Sequence, residues 1–269
     1  MSTPVIVKYP LTLSQTQAQR PNAPRLCWFN YVNALNTTLE TGVTSSFFEN
    51  LANPATTLYA QIDTTDEFYI DVEIPTGAPV DYVGIARHNL QPGAQIKIEF
   101  IVNGSAFLIR DWTEVGANQA ILKLFNEGRP ETVRVSFRGQ GDFVRIAVLY
   151  VGLSIVFPRN IYVGHTPITM GRSAQRIGGI TEGGQYPGEI VRRRWIGTAV
   201  SLQNLKPIWY RETLDPFIGQ TDRAPAFWAW RPDTYPNEVA YAWLTGDPRP
   251  SNQRPNGMMQ VDFNLEGIA

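Results

Sequence analysis

Residues Glu67–Pro75 read EFYIDVEIP. Phe68, Ile70, Val72 and Ile74 fall on one side of an extended chain, and Tyr69, Asp71 and Glu73 on the other. This period-two pattern marks a strand with one buried face. It recurs in the segments around it. QIKIEF (95–100) aligns Ile96, Ile98 and Phe100, and TVRVSFRG (132–139) sets Val133, Val135 and Phe137 against Arg134, Ser136 and Arg138. FVRIAVLYVG (143–152) aligns Val144, Ile146, Val148 and Tyr150. Turn residues at Pro92-Gly93, Asn103-Gly104 and Gly139–Gly141 separate these runs. Several alternating strands at this spacing predict a jelly-roll β-sandwich over 28–155.

The composition agrees with an all-β chain. Of 269 residues only 17% are charged, while 22 glycines and 20 prolines supply many turns. That length predicts one large or two medium domains. The formal net charge of −1 lacks the positive excess that a nucleic-acid binder uses to displace counterions, so no nucleic-acid sequence recognition is expected. Cys27 is the single cysteine, which excludes an intrachain disulfide and a cysteine-built zinc site; it is expected to be a small buried apolar residue. No apolar stretch reaches membrane-spanning length, and no signal-peptide pattern opens the chain, so synthesis in the cytoplasm without membrane insertion is expected.

The flanking segments differ in character. Residues 1–27 hold an apolar start, Val5–Leu13, expected as a strand, and then a polar linker. Residues 156–269 predict a second domain, a β-sandwich with one helix. In it Ile196, Thr198, Val200 and Leu202 alternate on one face, and glycines at 178, 179, 183, 184 and 188 make a permissive loop before them. Pro207 suits a first helical turn, Tyr210, Leu214 and Phe217 share a side at i, i+4 and i+7, and Pro216 and Gly219 mark the end, which places a helix near 205–218. APAFWAW and EVAYAWL follow as strands joined by RPDTYPN, and Val261, Phe263 and Leu265 alternate in the closing strand.

Chemistry-bearing patterns are sparse. His88 and His165 sit in no metal-binding motif, and no nucleophile elbow exists; hydrogen bonding at a strand end and in a turn are their expected roles. Asp63, Asp66 and Glu67 lie close together in DTTDEF; a solvated turn is expected, with a calcium site and glycoside hydrolysis as the competing chemistries. Arg192, Arg193 and Arg194 alternate across a strand, so salt bridges at a subunit surface are expected rather than one anion patch. Trp112 and the FWAWRP run could stack on sugar rings or fill core and interface. No cofactor is expected.

The stretches VDYVGIARHNLQPGAQIKIEF (80–100) and SSFFENLANPATTLYAQID (45–63) resemble galactose-binding-like jelly rolls of tailed-phage tail-tip and minor tail proteins. FPRNIYVGHTPITMGRS (157–173), GGQYPGEIVRRRWIGTAVSLQNL (183–205), APAFWAWRPDTYPNEVAYAWLTG (224–246) and VDFNLEGIA (261–269) resemble the later part of distal-tail or baseplate proteins of long-tailed phages, with a tail-tube-like ring-forming domain. The resemblance implies a non-enzymatic structural component of the virion tail tip, self-assembled in a ring, commonly a hexamer, and docked to tail tube, hub and fibre proteins.

On that reading Trp228, Trp230, Tyr235, Tyr241 and Trp243 would fill the core with one face and meet a neighbouring subunit with the other, with Arg192, Arg193 and Arg194 at the same interface. The competing expectation is a carbohydrate-binding module in which Arg87, His88, Asn89 and Trp112 contact a host surface glycan. A hydrolase built on Asp63 or Glu67 ranks last.

Overall fold

The computed structural model describes residues 20–115, 120–139, 141–161, 164–179, 182–219, 224–253 and 257–268. The apolar start Val5–Leu13 lies outside them. The strands are, in chain order, β1 (Arg25–Cys27), β2 (Thr37–Leu39), β3 (Thr44–Ser46), β4 (Ala60–Asp63), β5 (Phe68–Glu73), β6 (Val80–His88), β7 (Gln95–Val102), β8 (Ser105–Glu114) and β9 (Ile121–Gly128). They continue as β10 (Thr132–Arg138), β11 (Val144–Gly152), β12 (Ile155–Val156), β13 (Arg172–Gly178), β14 (Glu189–Leu205), β15 (Ala226–Ala229), β16 (Val239–Leu244), β17 (Ser251–Asn252) and β18 (Met259–Ile268).

These strands form three stacked antiparallel sheets. An outer sheet runs β2-β5-β10-β7-β8, a middle sheet β3-β4-β11-β6-β9, and the third, with eight strands, β12-β1-β15-β16-β18-β14-β13, β17 pairing β18 off this path. The outer and middle sheets are the jelly roll. The outer sheet keeps one wet face, so its strands alternate as the sequence predicts: Phe68, Ile70, Val72, Ile96, Ile98, Val133, Val135 and Phe137 are buried against the middle sheet. Phe68 and Phe137 stack across β5 and β10 at 5.1 Å. On the solvent face the Arg134 guanidinium forks onto Asp71 at 2.8 and 2.7 Å.

The middle sheet is covered on both sides. Val83, Ile85, Val144, Ile146 and Leu149 face the outer sheet, while Tyr82, Ala86, Leu122, Leu124, Val148 and Tyr150 pack with Cys27, Phe227, Ala229, Val239 and Tyr241 of the eight-stranded sheet. The expected common face of Val144, Ile146, Val148 and Tyr150 is therefore split. Successive residues Ala147 and Val148 both join the second layer, which breaks the alternation of β11. The far face of the eight-stranded sheet carries Leu26, Val200, Leu202, Trp228, Ala240, Val261, Phe263 and Leu265, and is covered by Tyr210, Leu214 and Phe217. Those three come from the helical segment Pro207–Ile218, with a π-helical turn at Tyr210–Leu214 and Pro207 at its start.

The linker expected up to residue 27 ends instead as a strand. β1 pairs with both β12 and β15, so residues just before the jelly roll complete the sheet built mainly by residues after it. Short length and a polar, proline-rich context hid it.

The tryptophan-rich ribbon is also internal. Trp228 and Tyr241 are 1% and 0% exposed within the single chain, which removes both from an intersubunit surface. Neighbouring positions on β15 and β16 point opposite ways: Trp228 toward the helical segment, Phe227 and Tyr241 toward the jelly roll. Trp230 and Trp243 are half-buried, and only Tyr235 of the five is exposed. Trp230 stacks on Tyr235 at 5.4 Å, its indole N–H donates to the Glu238 carboxylate, and His165 meets it edge-on at 4.6 Å.

Candidate functional site

Two adjoining hollows lie where the jelly roll meets the eight-stranded sheet. One, of about 670 Å³, is lined by Thr57, Tyr59, Arg87, His88, Asn89 and Arg145 from the jelly roll and by Arg194 and Ile268 from the other sheet. The second, of about 470 Å³, shares Arg87, Arg194 and Ile268 and adds Arg172, Arg176 and Trp195. Among the described residues no aspartate or glutamate lines either hollow.

Local backbone shape sets this arrangement. Val83 and Ile85 of β6 face the sandwich core, so unbroken alternation would send residue 87 inward too. Arg87 instead has φ +55°, a left-handed conformation uncommon for a residue with a side chain, and it is exposed. It sits beside the break in β11, between the paired positions Ala86↔Val148 and His88↔Ile146. Asn89 then pins the strand end: its Oδ1 accepts the Arg145 N–H at 2.6 Å and its Nδ2 donates to the Phe143 carbonyl at 3.2 Å. Both ends of the Asn89 amide are thus engaged, and it shapes the cleft. His88 is buried, with Nδ1 accepting the Leu90 N–H at 3.2 Å, the strand-end hydrogen bond expected of it. The Arg145 guanidinium lies 4.9 Å from the Tyr59 ring and 4.7 Å from the Phe143 ring, and its Nε donates to Gln61 at 2.9 Å.

Trp112 does not join Arg87, His88 and Asn89. It belongs to β8 at the edge of the outer sheet, where Arg138 and Lys97 stand over its ring at 4.1 and 5.0 Å. Lys97 and Arg138 alternate with the buried Ile96, Ile98 and Phe137, so Trp112 packs on the outward face of that sheet, away from the middle one.

The arginine run divides. Arg193 pairs with Glu266 at 3.5 Å within the chain, Arg192 is exposed, and Arg194 reaches the hollows. The calcium candidate is not assembled: among the described residues no group of three or more histidine, cysteine, aspartate or glutamate side chains could hold a metal. Asp63 accepts the Gln61 amide at 2.8 Å on its own strand, β4, and Glu67 lies 4.0 Å from Lys97 on β7 of the outer sheet, so these acids have separate partners. Tyr59, Arg145, Arg172 and Trp195 are cleft residues that the sequence did not single out; they are distant along the chain, and no local pattern connects them.

No protein-family model and no curated protein sequence matches the chain. Solved structures similar to it include the chitosan-binding module 1 derived from a chitosanase/glucanase of Paenibacillus sp. IK-5, at TM-score 0.39 and 15% identity, covering 46% of this chain and 98% of that one. A Streptococcus pneumoniae fucose binding module is similar at TM-score 0.38 and 12% identity, covering 46% of this chain and 94% of that one. The family 32 CBM from C. perfringens NanJ, solved with galactose, is similar at TM-score 0.37 and 17% identity, covering 43% and 92%. Each likeness covers less than half of this chain.

Proposed function

We propose that the chain is a non-enzymatic binding protein that holds a glycan in the cleft between its jelly roll and its eight-stranded sheet. The observation that carries this reading is the cleft's lining: an exposed tyrosine ring, Tyr59, beside Arg87, Arg145 and Arg194 in a hollow of about 670 Å³. That volume lies within the range of small-ligand sites. Tyr59 offers a face to the C–H side of a sugar ring, and the guanidinium groups donate to its oxygens. Glycoside hydrolysis needs a pair of carboxylates across the scissile bond, and the described lining supplies none, so retention of the ligand fits better than its cleavage. A glycan-array screen of the labelled protein tests this. Retained glycans should be lost in Tyr59→Ala at an unchanged melting temperature, and kept in Trp112→Ala. An empty array, or signals indifferent to Tyr59→Ala, overturns it.

The second reading is a subunit of a phage tail tip or baseplate, self-assembled in a ring beside fibre proteins. One observation favours it: the hairpin of β13 and the first half of β14 runs past the end of β18 and exposes Ile177, Tyr186, Ile190 and Val191. Adjacent exposed apolar side chains on an extended hairpin suit burial against another copy. Multi-angle light scattering should give an oligomer that Ile190→Asp reduces to a monomer. A wild-type monomer at high concentration removes this reading.

A further inference from the structure

We propose that the ligand of this cleft is an acidic glycan, one bearing carboxylate or sulfate groups; the proposal rests on the glycan reading above and adds its chemical class. The chain is almost neutral, with a formal net charge of −1, yet Arg87, Arg145, Arg172, Arg176 and Arg194 line the two adjoining hollows, and no described acid lines them. Structural arginines on a neutral surface find carboxylates nearby, as Arg134 does with Asp71 and Arg193 with Glu266. Among the described residues, Arg176 alone of the cleft arginines does so, with Glu189 at 2.9 Å. The guanidinium groups of Arg87, Arg172 and Arg194 make no hydrogen bond or ion pair with another described residue. Converging like charges repel, and a cleft with partly apolar walls strengthens their field. An anionic group entering between them relieves the repulsion and takes paired N–H donors whose fork matches a carboxylate or sulfate.

Arg87 supplies the independent geometric sign. Its backbone is held at φ +55°, and the break in alternation delivers its guanidinium to the junction of both hollows. Strained backbone conformations gather at ligand clamps, because the surrounding structure must hold them. The hollows meet at Arg87, Arg194 and Ile268, with Tyr59 in one and Trp195 in the other. Two aromatic rings flanking a cationic centre suit an oligosaccharide with its acidic group at the middle. A polynucleotide is less well matched, since the whole chain offers no net positive field along which to track phosphates.

Isothermal titration calorimetry on the full chain tests the class. The probes are a heparin tetrasaccharide and its fully desulfated form, an oligogalacturonate and its methyl ester, sodium sulfate and a single-stranded DNA oligonucleotide. At least one acidic oligosaccharide should bind about tenfold or more tightly than its neutralised partner, and more weakly as salt rises. Arg172→Ala and Arg194→Ala should each weaken it by about tenfold, with melting temperatures unchanged because both side chains are exposed. Equal binding of acidic and neutral forms overturns the acidic class and leaves the glycan reading standing. Binding of neither form, together with an empty array, removes both. Sulfate alone binding as tightly as the oligosaccharide, or DNA binding more tightly, overturns the proposal as well.

Discussion

Phe227 is fully buried between the middle and eight-stranded sheets, and its ring lies on the bare backbone of Gly84. A Cβ placed on Gly84 would sit 2.5 Å from that ring, so the close approach of the sheets at this point depends on glycine. Tyr150 and Tyr241 flank the same ring at centroid distances of 5.6 and 5.0 Å. Phe227→Ala removes a buried ring and leaves a cavity, which costs about 3–5 kcal/mol. In a chain of this size each kcal/mol moves the melting temperature by roughly 2–4 °C, so a fall of about 6–20 °C is expected by scanning fluorimetry. Gly84→Ala overpacks the same place and costs about 1–3 kcal/mol. Combined, the new methyl group enters the space the ring has left, so the two costs do not add: Gly84→Ala should be neutral or stabilising once Phe227 is alanine. Urea titrations of the four proteins complete the cycle. Additive costs, or a Phe227→Ala protein melting within about 2 °C of wild type, would refute the direct packing of jelly roll on the third sheet.

Asp81 is buried, and desolvation lifts its carboxyl to about 6, only partly offset by hydrogen bonds from Ser154 and the charge of Arg25, with Glu127 adding to the lift. Because the folded state holds this proton more tightly than the unfolded chain does, the contribution to stability is complete below about pH 4 and is lost as pH rises through about 6, roughly 3 kcal/mol in all. Asp81→Asn should flatten that slope in denaturation curves across this range; an unchanged slope contradicts the assignment. Cys27 is 0% exposed and burial raises its thiol well above the usual range, so Ellman's reagent should modify it only on unfolding; rapid reaction of the native protein would show that the layer is open.

Much of the fold was legible because part of it has one wet face. β5 and β7 alternate cleanly, and β10 does so apart from the buried Ser136, since the outer sheet is covered on one side only. The helical segment was equally readable, as Pro207 and the spacing of Tyr210, Leu214 and Phe217 mark a single apolar stripe, and all three are buried. β6 and β11 were harder. They bury both faces, which erases the periodic contrast that would have announced a third layer. The aromatic ribbon shows the same limit from the other side. Alternation on β15 and β16 was correct, but what covers the second face is a tertiary fact: it is the chain's own jelly roll. The cleft was half legible. Arg87, His88 and Asn89 were singled out together and Arg194 only as part of an arginine run, whereas Tyr59, Arg145, Arg172 and Trp195 join them through sheet stacking and through one left-handed residue within a strand. Trp112 was grouped with them by residue type, and sheet membership separates it.

The most direct measurement is hydrogen exchange by mass spectrometry with and without a saturating acidic oligosaccharide. Slowed exchange should appear together in peptides spanning Tyr59, Arg87–Asn89, Arg145 and Arg194–Ile196, while the Trp112 peptide is unaffected. Slowing confined to the Trp112 strand, or none in these segments at saturation, would contradict a ligand seated between jelly roll and third sheet.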